Sequence, residues 1–182
     1  MELLETRALG IHPTLARLGP DLTGPEPDTD AAVTRLRDRS RATTTIAESL
    51  LDQQAMAGLG NVYRSEVLHL ERVDPFLVTG EVAPGVLERL VATGAGLLRA
   101  NREGPRRTTT GRDRDGERLW VYRRTGRPCR RCGTPIRSGM VGDPPRRVWW
   151  CPSCQPVGAG GAVAAGASGT EAGSSRPSRA RA

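Results

Sequence analysis

Residues 129–154 have the sequence CRRCGTPIRSGMVGDPPRRVWWCPSC, and this stretch decides how the C-terminal part of the chain folds. Two C-x2-C pairs, Cys129 with Cys132 and Cys151 with Cys154, are separated by eighteen residues. Each pair can form a tight turn that aims two sulfurs at one point, and four thiolates close a tetrahedral zinc site without a water ligand. The spacing therefore predicts one structural zinc ion, and an iron–sulfur cluster or a redox dithiol is the alternative.

The residues between the two cysteine pairs predict a β-hairpin that turns around residues 139–145. Residues 148–150, Val-Trp-Trp, form its returning strand, and Arg146 and Arg147 precede them at the turn. Arginines on a rigid hairpin tip can contact DNA phosphates or enter the minor groove. A solvated basic surface is the alternative interpretation.

Positive charge is concentrated around this module. The chain has a net charge of +7, and its 27 basic side chains are all Arg. Residues 99–156 carry 15 Arg and 5 acidic side chains, a net charge of +10, whereas residues 1–98 have a net charge of −5. Such asymmetry predicts a polyanionic partner, most often nucleic acid. A GC-rich genome could explain the replacement of Lys by Arg, but it does not explain the clustering.

The composition bounds the class of protein. A hydrophobic content of 37% and an aromatic content of 3% favour a small helical unit plus a metal-stabilised module over one large core. No apolar run is long enough to span a membrane, and the N-terminus MELLE lacks the features of a signal peptide. We therefore expect a cytoplasmic protein without a membrane partner, whose thiols stay reduced.

Hydrophobic spacing in the first two thirds of the chain predicts helices. Ile46 and Leu50 lie four positions apart, as residues on one face of an α-helix do. Tyr63, Val67 and Leu70 mark the expected buried face of a later helix. The predicted elements are helices over 30–39, 45–54, 62–72 and 84–101, a loop over 102–118 and a short extended segment over 119–122.

The glycine turn, residues 57–61 with the sequence AGLGN, separates two of these helices. Two glycines two positions apart break a helix because Gly adopts conformations that other residues avoid. The following helix begins with unpaired N–H groups and the positive end of its dipole, which can bind an anion. Asn61 could either cap this helix or donate its amide to a phosphate.

Two features in this order resemble the formamidopyrimidine-DNA glycosylase/endonuclease VIII family. Residues 51–66, LDQQAMAGLGNVYRSE, are similar to its helix-two-turn-helix motif. Residues 121–136, VYRRTGRPCRRCGTPI, and 146–155, RRVWWCPSCQ, are similar to its C-terminal zinc finger. The stretch TTTG at 108–111 resembles the endonuclease VIII branch more than the formamidopyrimidine branch.

The resemblance implies a mainly α fold, a helix-two-turn-helix bundle followed by a small zinc-finger β-hairpin. It also implies a monomer that binds double-stranded DNA carrying a damaged base or an abasic site. The matching positions imply zinc ligation by the four cysteines and DNA contacts by Asn61, Gly60, Arg146, Arg147 and Gln155. The expected units are a connector over 1–28, the helical domain over 29–104, an Arg-rich loop over 105–118, the zinc finger over 119–156 and a disordered tail over 157–182.

The family's chemistry has no counterpart that we recognise in this sequence. Family members begin with a β-sandwich domain whose N-terminal proline attacks the sugar, assisted by a neighbouring glutamate. Here Glu2 follows Met1, and there is no lysine. We therefore expect that the β-sandwich is absent, that this stretch alone is inactive, and that it forms the DNA-binding half of a repair glycosylase and abasic-site lyase. A stand-alone DNA-binding module and a protein-binding zinc ribbon are the alternatives.

Overall fold

The computed structural model describes residues 17–83, 85–104 and 106–160. No helix within these ranges is both long and apolar enough to cross a membrane. Short 3-10 turns lie at Arg39–Arg41 and Thr79–Glu81. The helices and strands, in chain order, are α1 (Thr29–Leu36), α2 (Ile46–Ser49), α3 (Asn61–Leu70), α4 (Val86–Ala100), β1 (Arg137–Val141) and β2 (Arg146–Trp150).

Helix α3 lies at the centre of the fold. It packs against α4 on one side and against β2 on the other, while α1 covers α4. All seven residues from Tyr63 to His69 are buried, whereas Leu70 is only half-buried. The sequence pattern predicted one buried face of α3, but the buried surface is wider. The hairpin covers the side of α3 that the pattern assigns to solvent.

Helix α2 is much shorter than predicted. Its start is fixed by a capping box in which Thr45 accepts from the Glu48 N–H and the Glu48 carboxylate accepts from Thr45. After Ser49 the side chains compete with the helix for backbone hydrogen bonds. The Asp52 carboxylate accepts from Gln54 N at 2.8 Å, and Gln53 accepts from Gly58 N at 3.2 Å while donating to the Leu59 carbonyl at 3.3 Å.

The described part of the predicted connector packs into the fold. Gly19 N donates to the Gln53 carbonyl at 2.8 Å, and Leu22 N donates to the Ala57 carbonyl at 3.0 Å. Leu22 is 1% exposed and belongs to the bundle core. A Cβ atom at Gly19 would lie 2.5 Å from the Ala55 carbonyl carbon, so the two segments meet backbone to backbone. The rest of this connector, residues 1–16, lies outside the described residues.

The predicted hairpin is confirmed, but its turn is shorter than residues 139–145 and its returning strand begins at Arg146 rather than Val148. Strands β1 and β2 pair antiparallel, with Val141 opposite Arg146 and Gly139 opposite Val148. Val148 enters the bundle core, whereas Trp149 belongs to a second apolar cluster that includes Cys129 and Cys151. The hairpin thus contributes to both cores and joins the helical bundle to the cysteine module.

Residues 119–122 do not form the predicted extended segment. The Glu66 carboxylate on α3 accepts from Trp120 N at 2.8 Å, Val121 N at 2.9 Å and Tyr122 N at 2.8 Å, and also from the Thr109 hydroxyl. Three consecutive N–H groups can converge on one carboxylate only if the chain bends around it, since N–H groups alternate in direction along a strand. A buried partner distant in sequence therefore overrides the local β preference.

The start of the predicted disordered tail is ordered. Asp74 N donates to the Ala159 carbonyl at 2.8 Å, and the Asp74 carboxylate accepts from Gly158 N at 2.9 Å. Val73 and Gly160 form an isolated β-bridge. Residues 157–160 therefore return to the helical bundle after the last cysteine, and residues 161–182 lie outside the described residues.

Candidate nucleic-acid interface and metal centre

The four cysteines converge on one point. Their sulfurs all lie within 4.8 Å of one another, and three of the Sγ–Sγ distances are 3.4 Å (Cys132 to Cys151), 3.5 Å (Cys132 to Cys154) and 3.9 Å (Cys129 to Cys154). Four sulfurs at 2.3 Å from a central zinc ion would be about 3.8 Å apart. The donor set and its spacing therefore fit a tetrahedral metal ion.

Local turns aim these sulfurs inward. Gly133 follows the first pair with φ +80, a conformation that favours glycine, and donates to the Cys129 carbonyl at 2.9 Å. Hydrogen bonds from Thr134 lower the pKa of Cys132 to about 6, whereas burial raises the pKa values of Cys151 and Cys154. Neighbouring thiols raise the pKa of Cys154 further, so a bound cation would favour the thiolate form of this buried ligand.

A cavity of about 370 Å³, the central groove, lies between the glycine turn and the tip of the hairpin. Gly60 and Asn61 line it from the turn, and Arg146 lines it from β2. Arg64 lines it from within α3. The structure thus brings together three of the residues predicted to contact DNA, although Arg146 lies more than eighty positions from the other two in the chain.

Helix α3 begins at the edge of this groove. Gly60 occupies the N-cap position and supplies no side-chain cap, and Asn61 is the first helical residue. The alternative that Asn61 caps the helix is therefore wrong. The first helical hydrogen bond runs from Arg64 N to the Gly60 carbonyl at 3.0 Å. The N–H groups of residues 61–63 have no acceptor within the helix, which leaves them available to an anion.

Arg64 connects the parts of the groove. It is 0% exposed and donates to the Ala47 carbonyl at 3.3 Å, to the Arg147 carbonyl at 2.7 Å and to the Asn61 side-chain oxygen. Its Nε has no partner among the described residues. Burial, followed by the charge of Arg146, lowers the pKa of Arg64 to about 10, which still leaves it charged at neutral pH.

No carboxylate in the described ranges forms an ion pair with Arg64. The Glu48 carboxylate favours the charged form of Arg64 without pairing with it, and an anion in the adjacent groove would add to the three hydrogen bonds that already hold this charge. Sequence reasoning missed this residue. The available signal was an arginine between Tyr63 and Val67, on the part of the helix expected to be apolar.

Arg146 and Arg147 do not act as a pair. Side chains alternate across a strand, so Arg146 shares the face of buried Val148 and lines the central groove, whereas Arg147 lies on the opposite face. The Arg147 guanidinium donates to the Ser138 hydroxyl at 3.2 Å. Within the described structure, the contribution of Arg147 to the groove is its carbonyl, which holds Arg64.

Gln155 lies inside the protein. It is 1% exposed, its Nε2 donates to the Val73 carbonyl at 2.8 Å, and its Oε1 accepts from Cys151 N at 3.0 Å. The same oxygen lies 3.2 Å from His69 Nδ1, which makes that ring nitrogen the donor. The Gln155 amide, predicted to contact DNA, is therefore not accessible on the surface of this structure. It instead connects the end of the cysteine module to α3.

Comparison with known proteins identifies the class. A family model described as "Formamidopyrimidine-DNA glycosylase H2TH domain" matches residues 18–110, just over half of the chain. A helix-two-turn-helix motif and a four-cysteine hairpin on either side of one groove thus define the class of fold to which this chain belongs. Two curated relatives and one solved structure specify the family.

The "Probable endonuclease 8 2" of Streptomyces coelicolor is 46% identical over 154 residues, which cover 83% of this chain and 52% of that protein. The "DNA-(apurinic or apyrimidinic site) lyase Nei2" of Mycolicibacterium smegmatis is 39% identical over 169 residues, which cover 85% of this chain and 64% of that protein. A complex of Lactococcus lactis Fpg with DNA containing an abasic site has a TM-score of 0.67 at 28% identity and covers 84% of this chain and 57% of that one.

The chain belongs to the formamidopyrimidine-DNA glycosylase/endonuclease VIII family and corresponds to its C-terminal half. The name of the Streptomyces relative, endonuclease 8, agrees with the predicted branch, whereas a Symbiobacterium thermophilum relative that is 40% identical is named formamidopyrimidine-DNA glycosylase. The chain spans about half to two thirds of the length of these relatives.

Proposed function

We propose that this chain is the DNA-binding part of a base-excision-repair DNA glycosylase and abasic-site lyase that acts on oxidised bases in duplex DNA. The observation that carries the proposal is the central groove, where the start of α3, the buried cation of Arg64 and the exposed cation of Arg146 meet. The names of the Mycolicibacterium relative and the Lactococcus complex support abasic-site DNA as the ligand. We expect the protein to act as a monomer on DNA in the bacterial cytoplasm.

In this proposal the backbone N–H groups at the start of α3 and the Asn61 amide bind one DNA phosphate. Arg146 binds the same stretch of backbone from the hairpin side. These contacts fix the duplex without reading its sequence, as backbone contacts do. Holding the backbone on both sides of one nucleotide favours a bent duplex from which that nucleotide can be flipped out.

The four cysteines hold one structural zinc ion in this proposal. A closed set of four thiolates leaves no open coordination position, so the ion supplies no chemistry to the reaction. Its role is to fix the turns that start and end the hairpin, which holds Arg146 opposite Asn61. The Cys129 and Cys151 side chains are buried, as expected for ligands that organise a small core.

Duplex binding tests the groove directly. The zinc-loaded chain should bind a duplex that carries a tetrahydrofuran abasic-site analogue, with an affinity that falls steeply as salt increases. Arg146→Ala should weaken binding to all sequences alike and reduce the salt dependence by about one counterion. Arg137→Ala, at an exposed arginine of β1 that does not line the groove, is the matched control. Absence of binding at low salt would refute the proposal.

Borohydride trapping on abasic-site DNA tests where the chemistry lies. A lyase of this kind attacks the sugar with an amine, and the sequence contains no lysine. We expect no covalent adduct with this chain and an adduct when a β-sandwich domain that begins with the family's proline is joined to it. An adduct formed by this chain alone would contradict the division between binding and catalysis.

A further inference from the structure

A second groove lies on the other side of the glycine turn. It has a volume of about 330 Å³ and is bounded by Tyr63 and the end of α4. Gly60 and Asn61 line both this α4 groove and the central groove. The two grooves therefore form one continuous surface that crosses the start of α3, with Arg146 at one end. Arg102 and Arg107 line the other end.

The structure holds these two arginines in place. The Asn101 side chain donates to the Thr108 carbonyl at 2.8 Å and accepts from Thr108 N, which closes the loop between them. Arg102 follows Asn101 and Arg107 precedes Thr108, so both arginines stand at the neck of this closed loop. The Arg107 guanidinium also lies over the Tyr63 ring, 5.0 Å from its centroid. Stacking on an aromatic face orients a guanidinium while leaving its N–H donors free.

Charge pairing separates these two arginines from their neighbours. Arg106 pairs with Asp115 at 3.5 Å, Arg112 pairs with Glu117 at 3.4 Å, and Arg118 pairs with Asp115 at 3.0 Å. Within the described ranges, no carboxylate forms an ion pair with Arg102 or Arg107, and both are exposed. The loop thus neutralises Arg106, Arg112 and Arg118, whereas the two arginines that line the groove carry no ion pair in the described ranges.

We propose that Arg102 and Arg107 bind DNA backbone phosphates next to those held by Asn61 and Arg146, so that the contacted backbone crosses the start of α3 from one groove to the other. The inference rests on the proposed DNA-binding function and extends it to a second surface. Arginine suits this role because its planar fork of donors matches a phosphate. The contact is with the backbone, so it adds affinity and register without sequence preference.

The test measures how DNA affinity depends on salt. Each phosphate neutralised contributes about 0.9 to the slope of log K against log salt on duplex DNA. The double variant Arg102→Gln, Arg107→Gln should therefore reduce the slope of the zinc-loaded chain by about 1.8 and weaken binding at low salt. Arg106→Gln removes one positive charge from a neighbouring position that is already paired with Asp115, and it should change the slope by far less than the roughly 0.9 expected for one phosphate contact.

Two further measurements separate charge from folding. Arg107→Lys retains the charge and should keep a slope near that of the wild type, whereas a merely structural role for the stacked guanidinium would make it as defective as Arg107→Gln. Methylphosphonate substitution removes the charge of one phosphate at a time. At one or two positions, this substitution should weaken binding of the wild type but not of the double variant. These positions should differ from those at which the substitution no longer weakens binding of Arg146→Ala.

The outcomes distinguish this inference from the function on which it rests. If the wild type binds DNA and Arg146→Ala weakens it, but the double variant has the slope of Arg106→Gln, the second contact is refuted and the proposed function stands. If the wild type does not bind DNA at all, both are refuted. A reduced slope together with a shifted methylphosphonate pattern supports both.

Discussion

Arg64 shows how one buried side chain can set the geometry of a surface groove. It donates hydrogen bonds to three oxygen atoms: the Ala47 carbonyl of α2, the Arg147 carbonyl of β2 and the Asn61 side chain. Its position therefore couples the start of α3 to the strand that carries Arg146. It is a positioning residue as well as a source of charge.

Arg64→Met should separate these roles. Methionine fills much of the same volume but leaves the Ala47 and Arg147 carbonyls without their donor, which we expect to cost about 2 kcal/mol or more in the free energy of unfolding. DNA affinity should fall with it, because the hairpin loses its link to Asn61. Urea unfolding and duplex binding of the zinc-loaded protein measure both effects. Arg137→Met, at an exposed position of β1, should change neither by much, and equal effects of the two variants would contradict the assignment.

His69 makes stability depend on pH. Burial, followed by the charge of Arg131, lowers the pKa of His69 to about 4, and its Nε2 has no partner in the described structure. The pKa in the unfolded chain is about 6.5, so between these values the unfolded state binds the extra proton. The contribution of neutral His69 to the free energy of unfolding is therefore fully present above pH 6.5 and decreases as the pH falls towards 4.

The difference between pH 7 and pH 5 should be about 2 kcal/mol in the free energy of unfolding. His69→Asn keeps a donor for Gln155 and removes the titrating ring. Between pH 7 and pH 5, the free energy of unfolding of this variant should therefore fall by about 2 kcal/mol less than that of the wild type. Protonation of the cysteines affects both proteins alike and cancels in the comparison. Parallel pH profiles for the two proteins would show that His69 is not buried in its neutral form.

At the scale of elements, the bend around Glu66 joins α3 to the segment that leads into the cysteine module. One buried carboxylate accepts three consecutive backbone N–H groups and the Thr109 hydroxyl. In Glu66→Gln an amide N–H₂ group must face some of these donors, which we expect to cost about 2–4 kcal/mol. Amide hydrogen exchange at residues 120–122 should accelerate well beyond the global change in stability.

Glu117→Gln is the matched control for that variant. Glu117 lies in the same loop region, is partly exposed and pairs with Arg112 on the surface. Removing such a pair should change stability by less than about 1 kcal/mol and leave exchange at residues 120–122 unaltered. If Glu66→Gln has an equally small effect, the carboxylate does not fix the bend.

The elements also show which parts of the structure a sequence can predict. The hairpin and the cysteine cluster were predicted correctly because their signals are local: two C-x2-C pairs, and a turn between alternating residues. Helix α2 was not, because the Gln53 side chain binds the backbone of the glycine turn. Residues 119–122 were not, because they bend around Glu66, which lies more than fifty positions away in the chain. In the site, Asn61 and Arg146 followed from the family resemblance, whereas the buried positions of Arg64 and Gln155 depend on packing between elements.

On the scale of the whole molecule, the helical bundle and the cysteine module share a core. Val141 and Val148 of the hairpin belong to the same buried cluster as Val67 and Leu68 of α3. The tail segment 157–160 returns from the last cysteine to Val73 and Asp74. The hairpin therefore belongs to the helical bundle as well as to the cysteine module, and loss of the proposed zinc ion should affect both.

Removal of zinc should consequently loosen α3 as well as the cysteine module. A short cysteine module depends on its metal for folding, so a chelator should unfold residues around Cys129 and Cys151 first. Because β2 covers one side of α3, its loss frees the Ser65 hydroxyl from Trp149 N and Arg64 from the Arg147 carbonyl. We expect faster amide exchange in α3 and loss of duplex binding, both restored by added zinc. Cys132→Ser should reproduce the effect of the chelator, whereas Ser153→Ala, between the last two cysteines, should not. Unchanged protection of α3 in metal-free protein would show that the bundle folds independently of the metal centre.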